Sequence, residues 1–575
     1  MCGQILQSHR AVLRYSNKRA RGQVGWMPCL PAGRQGRGTS LQPVPANILQ
    51  SISALEVIMN LLDIIAKNSR IYPEESAFLE LRPVTKARKE ISWRRFGERV
   101  NKIANGLKET GVHQGDRVFL FGRNSIHWLE VYFGILKTGA WITPLNFRFT
   151  NEDIAYCAKV SQPLVCFCDE EYAERMLILQ RNLPTLKKCV FIGAKDFEGM
   201  ENLEPFIERA SPKSPEVELK DEDPCGLYFT SGTTGAPKPI LLTHKNLFAS
   251  GGTEATNHLW KHTDSLLMIP PLYHSAIGHL LGPMIVGARS VLLTETITPQ
   301  VIFEAMSTEQ LSVVFLLVPW TMDILSALDR GELLLKDYDL SQWRLMHMGA
   351  QPIPPVLIQR WKDYFPEMQY DTCYGLTEGS GPGVVALGIG NERKIGAIGK
   401  PGWMWDLRIV DERDEDVPQG EVGEIIVKGN GVMKEYYKNP ELTAQTIRNG
   451  WLHTGDLGRV DEEGFVYIVD RKKDLVISGG ENIYPVEIEA VLLKHPKVRD
   501  AAVIGSPDDR LGEVVTAVIE PKEGDLLTKE EASSFCEENL PRYKRPRHIF
   551  FDQVPRSPSG KIEKPKLREK YRKPQ

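Results

Sequence analysis

The chain has 575 residues, 42% of them hydrophobic and 25% charged, with a formal net charge of −3. That length exceeds one ordinary hydrophobic core, so two or more domains are expected. The near-balanced charge gives no global case for a nucleic-acid partner, and no apolar run reaches the roughly 18 residues needed to span a bilayer. Nine cysteines, without a C-x-x-C pair, indicate neither a zinc site nor a disulfide framework. A reducing, cytoplasmic setting is expected.

Residues 1–58 carry Arg10, Arg14, Lys18, Arg19, Arg21, Arg34 and Arg37 against the single acidic residue Glu56, with no sustained period. They read either as an organellar transit peptide or as a disordered or over-extended start, the second being preferred. From residue 59 helix and strand alternate in the way that builds parallel sheets. The pattern predicts a helix over 93–110, a strand over 117–121, a helix over 126–138, a strand over 140–143, a helix over 151–159 and a strand over 164–168. Further strands are expected at 265–269, 290–293 and 313–318, and strands of a smaller β-rich part at 423–428 and 464–469. Beyond residue 470, the stretches 486–493, 498–504, 513–519, 529–538 and 548–551 read as α-β-β-α-β. The expected fold class is α/β: a large N-terminal domain of parallel-rich sheets with a β-rich part (59–470), and a small α+β C-terminal domain (471–575).

The densest chemical signal is the run Tyr228, Phe229, Thr230, Ser231, Gly232, Thr233, Thr234, Gly235, Ala236, Pro237, Lys238. Its glycines let backbone N–H groups turn toward an anion, its hydroxyls add donors and Lys238 adds a positive charge, so it suits a triphosphate. The spacing departs from the Walker loop, which opens directly into a helix after G-K-[ST].

Other motifs follow in order: Pro271-Leu272-Tyr273-His274, Gly349-Ala350-Gln351-Pro352, Tyr374-Gly375-Leu376-Thr377-Glu378, Trp451-Leu452-His453-Thr454-Gly455-Asp456, Asp470-Arg471-Lys472-Lys473-Asp474 and Gly560-Lys561-Ile562. Together with the 228–238 loop they resemble the adenylate-forming superfamily over nearly everything from about Met59 to Lys564. The segment Ser478-Gly479-Gly480-Glu481-Asn482-Ile483-Tyr484-Pro485 is most similar to the branch of acyl-CoA synthetases that activates fatty and other carboxylic acids.

The resemblance implies an ATP-dependent carboxylic acid:CoA ligase, with a fatty acid as the expected substrate. A carrier-loading adenylation enzyme is the alternative. It implies ATP, Mg²⁺ and coenzyme A as co-reactants, a monomer or homodimer, and a C-terminal lid that turns about Lys473 between two half-reactions. Peripheral membrane contact stays open. Lys561 is expected to neutralise the approach of carboxylate to α-phosphate, with Thr377 contacting that phosphate and Glu378 and Thr233 holding Mg²⁺. Tyr374, Gly375, Gly349, Ala350 and Gln351 would form the adenine pocket, and Asp456 with Arg471 would hold the ribose. Thr230, Ser231, Gly232, Thr233, Thr234, Gly235 and Lys238 would cradle the phosphates. His274 would stand at the mouth between the acyl and thiol channels, and Gly479 and Gly480 would let the backbone lie against the pantetheine arm. Pro239 departs from the glycine common after the loop lysine, and Lys564 stands where arginine is common. The acid-facing segments 274–277, 348–351 and 379–384 look small or apolar, which suits an alkyl chain or an aromatic ring.

Overall fold

A computed structural model describes residues 60–571 apart from 196, 231–236, 350–352 and 558–560. The expectation for residues 1–58 lies outside these. Among the described residues the strands assemble into four sheets. The largest runs Lys400–Pro401, Gly381–Ala386, Gln369–Leu376, Leu345–Gly349, Val313–Leu317, Ser265–Met268, Arg289–Leu293, Ser76–Arg82, Ala87–Ser92. Its middle is parallel and its two edges are antiparallel. Val313–Leu317 reads VVFLL and is buried along its whole length, as a strand covered by helices on both faces must be.

A second sheet of eight strands places Arg117–Phe121 between Trp141–Leu145 and Val165–Asp169, all parallel. Its other flank turns antiparallel where Pro224–Thr230 meets Lys238–Thr243. The helices start where local chemistry supplies a cap. Ser92 accepts from the N–H of Arg95 ahead of Trp93–Glu109, and Thr150 and Asp153 form a capping box ahead of Asn151–Ser161. Trp93, Phe96, Trp128, Tyr132 and Phe133 fill the core between the two large sheets.

The β-rich part is an antiparallel five-stranded sheet that includes Trp405–Val410, Gly423–Gly429, Trp451–Val460 and Val466–Arg471. The strand expected from 464 begins two residues later because Gly464, at φ +83, belongs to the preceding turn. The last sheet joins Val498–Asp508, Gly512–Pro521 and His548–Phe551 to a short hairpin, Val476–Ser478 and Glu481–Ile483. That hairpin and the helix Lys564–Lys570 escape sequence reading because each is too short to display a period. Val476, Ile488, Val503, Val515, Ala517 and Ile549 give this sheet a core of its own. The parallel strands of the large sheet end at Leu317, Gly349 and Leu376, side by side. In open parallel sheets ligands bind beyond these carboxyl ends.

Candidate active site

Thr230 and Lys238 are Cα partners at the open end of an antiparallel pair. The Gly/Thr loop therefore closes a hairpin and does not lead into a helix, which explains its non-Walker spacing. Ser231, Gly232, Thr233, Thr234 and Gly235 lie outside the described residues, as do Ala350 and Gln351. Pro239 is accommodated in the strand, where its carbonyl accepts from the N–H of Tyr437 at 2.8 Å. The Lys238 ammonium stands 5.5 Å from the centre of the Tyr436 ring. Tyr436 is a site residue that sequence reading missed: its hydroxyl donates to Glu378 Oε1 at 2.8 Å. It sits in a two-residue strand with no motif around it, and only its pairing with Lys238–Thr243 brings it there.

Thr377 and Glu378 occupy a tight 3₁₀ turn directly after the strand Gln369–Leu376. The turn is pinned by the N–H of Met433, which donates to the Glu378 carbonyl at 2.7 Å. In the same strand the Tyr374 hydroxyl donates to Asp456 Oδ2 at 2.6 Å. Burial, reinforced by the Asp456 charge, pushes the Tyr374 phenol well above its ordinary range, so it remains a donor. Asp456 pairs across the small sheet with Arg471, whose Nε lies 3.4 Å from Asp456 Oδ1. The ribose-side expectation thus has its two residues together.

Lys561 comes from the C-terminal part and arrives at this group. Its hairpin is held by the Ser557 N–H donating to the Lys561 carbonyl at 2.8 Å and by pairing of Arg556 with Ile562. Burial, and after it the Arg471 charge, bring the Lys561 ammonium down to about 8 against the opposing pull of Asp456 and Glu378. Lys561 lines the same cleft as Asp456, Arg471 and Tyr374. His274 lies in a one-turn π-helix, Leu272–Ala276, with φ −107 and ψ −156. Burial, and after it the Lys561 charge, hold its imidazole down at about 4, so it is neutral at physiological pH. A cleft of about 260 Å³ joins the two parts, lined on one side by Val318, Tyr374 and Gly375 and on the other by Val486, Glu489 and Lys561.

Gly479 and Gly480 are not among the cleft's lining residues. They form the exposed turn of the short hairpin at φ +60 and +88, which only glycine adopts easily. Lys564 is buried, paired with Glu489 at 2.9 Å, and draws further support from Asp470 and Asp474.

The site is thus built at a cleft between two parts of the chain, a tyrosine–aspartate–arginine group meeting a lysine from the smaller part. The family model of the AMP-binding enzyme matches residues 65–437, and that of the AMP-binding enzyme C-terminal domain matches residues 487–561. The chain belongs to the AMP-binding enzyme family. It is 34% identical to a feruloyl-CoA synthase of an Amycolatopsis species over 84% of this chain and 94% of that one. It is 29% identical to a long-chain-fatty-acid–CoA ligase of Mycobacterium tuberculosis over 88% and 97% respectively. The crystal structure of an anthranilate CoA ligase in complex with anthranoyl-AMP superposes with a TM-score of 0.82 at 27% identity, covering 90% of this chain and 98% of that one.

Proposed function

We propose that the chain joins a carboxylic acid to ATP as an acyl adenylate, releasing pyrophosphate, and then passes the acyl group to coenzyme A with release of AMP. The observation that carries this reading is the meeting of Lys561 with Asp456, Arg471 and Tyr374 around one cleft, since an ammonium there offsets repulsion between carboxylate and α-phosphate. Asp456 accepts the ribose hydroxyls and Tyr374 closes the nucleotide pocket. Glu378 fits Mg²⁺ because Tyr436 holds its carboxylate by one oxygen in a fixed orientation. Bound there, the ion would neutralise phosphate charge. Thr233, the second proposed ligand, belongs to the loop between Thr230 and Lys238.

His274, neutral beside Lys561, is a gate at the mouth of the acyl site, with no proton-transfer role. With Lys561 in the cleft and Gly479 and Gly480 away from it, this arrangement is the adenylating one. Thioester formation then requires residues 471–575 to turn as a lid and bring the 478–485 loop inward. For the acid, both an aryl and a fatty substrate are represented among the relatives, and the buried polar side chains beneath the strand ends favour the aryl class. The test is a screen of carboxylic acids for ATP-dependent pyrophosphate release with and without coenzyme A. Release that needs an acyl-carrier protein in place of coenzyme A would favour the carrier-loading alternative.

A further inference from the structure

One pleat beneath the ends of the parallel strands lies a buried polar cluster that the reaction described above does not use. Phe315, His347 and Asp371 form one rung across three adjacent parallel strands. His347 and Cys373 precede Gly349 and Gly375 by two residues, so each shares a strand face with the glycine above it, about 7 Å away. His279 and Glu254 reach the same spot from the helices Ile277–Val286 and His244–Asn257. All but Cys373 are at most 5% exposed, and Cys373 lines the cleft. Gly349 stands above the cluster with no side chain of its own. A methyl group there would meet nothing closer than the Cys373 carbonyl at 3.6 Å, His347 Nε2 at 3.7 Å and Phe315 at 3.8 Å.

The hydrogen bonds decide what this cluster wants. His258 meets Asp371 Oδ2 at 2.7 Å through Nε2 and Glu254 Oε2 at 3.2 Å through Nδ1. Carboxylates only accept, so both its nitrogens donate and it is an imidazolium. His279 Nδ1 donates to Glu254 Oε2 at 2.9 Å, and His347 Nδ1 donates to Asp371 Oδ2 at 3.1 Å. With Nδ1 protonated, the Nε2 of each neutral ring is an acceptor, and that of His347 is already met by the Cys373 thiol at 3.4 Å. A ring nitrogen of His279, one of His347 and the Cys373 sulfur lie within 4.8 Å of one another. Glu254 Oε1, on a side chain 1% exposed, has no hydrogen-bond partner among the described residues. Two carboxylates thus face one imidazolium, and the buried acceptor left without a partner among the described residues is Glu254 Oε1.

We propose that His279, His347, Cys373 and Glu254 form the far end of the acyl pocket and select short carboxylic acids bearing a distal hydrogen-bond donor, namely aryl acids with a hydroxyl or amino substituent. The proposal rests on the ligase reading. A second carboxylate would be repelled by Glu254, and an alkyl end would leave its buried Oε1 unpaired. The distance from the strand ends matches a single substituted ring, not a long chain. His347 and His279 are specificity-determining here; neither touches the reacting carboxyl.

The test is pyrophosphate release by the full chain with ATP, Mg²⁺ and coenzyme A, using the three isomers each of hydroxybenzoate, aminobenzoate, toluate and phthalate, together with octanoate. The best hydroxy or amino acid is expected to exceed the toluate of the same geometry by at least about tenfold in kcat/KM. His347→Leu and Glu254→Gln are expected to bring that ratio close to one, while ATP still raises the thermal midpoint, which reports an intact fold. A toluate, phthalate or octanoate as the best acid overturns the donor-selective end and leaves the ligase standing. Stoichiometric zinc in the purified protein that is lost in His347→Leu also overturns it. No release with any acid overturns the ligase reading itself.

Discussion

Lys561 is a lysine whose position costs it part of its affinity for a proton, because it is buried and beside Arg471. Its ammonium exists below about 8 and is lost as pH rises through that value. In the free enzyme kcat/KM for pyrophosphate release is therefore expected to fall on its alkaline side with an apparent pKa near that value. Lys561→Arg, whose charge persists, should move that limb to higher pH, and an unshifted limb would assign it to another group. Lys561→Ala should slow adenylate formation by at least about 10²-fold, the scale of losing one preorganised charge contact. Thioester formation from synthetic acyl adenylate should survive the same substitution. Equal loss in both half-reactions would mean that Lys561 serves more than the first.

At the scale of elements, the strand Gln369–Leu376 carries the site because it bulges against Gly381–Ala386 between Tyr374 and Leu376. Gly375 permits that approach: a Cβ there would lie 1.8 Å from the Gly381 carbonyl oxygen. The obstacle is backbone and cannot swing aside. Gly375→Ala is expected to destabilise the fold by about 1–3 kcal/mol or more, read from chemical denaturation, and to abolish adenylation by displacing Thr377 and Glu378. Gly349→Ala makes only ordinary contacts of 3.6 Å and beyond, so its stability should stay near that of the parent while acid selectivity changes. A parent-like Gly375→Ala would show that the two strands separate readily.

At the scale of the whole molecule, the C-terminal sheet has a separate core and bears on the larger part through the cleft and through contacts such as Arg499 to Asp323 at 3.7 Å. An exposed pair of that kind is worth about 0–1 kcal/mol, too little to lock the two parts together. Lys473, exposed in the turn after Val466–Arg471, is the proposed pivot. Lys473→Pro fixes one backbone angle of that turn. The adenylate should still form while thioester release slows, visible as a pyrophosphate burst followed by slow coenzyme A consumption. Parent rates for both steps would remove Lys473 as the hinge.

The sequence by itself determined the class of enzyme and most of the elements, because both are written locally. Hydroxyls, glycines and charges stand in contiguous motifs, and strands such as Arg117–Phe121 and His548–Phe551 show in their own apolar runs. Only the tertiary structure decided what depends on residues far apart in the chain. Tyr436 reaches Glu378 across 58 positions, and His258 reaches Asp371 across 113. The segments expected to face the acid, 274–277, 348–351 and 379–384, stop short of His279, His347 and Cys373, each a lone residue that carries no signal by itself. Their polarity emerges once parallel strands set His347 beside Asp371 and a helix brings His279 over them. Burial then turns scattered side chains into one network, since a polar group removed from water must find its partners wherever the fold places them.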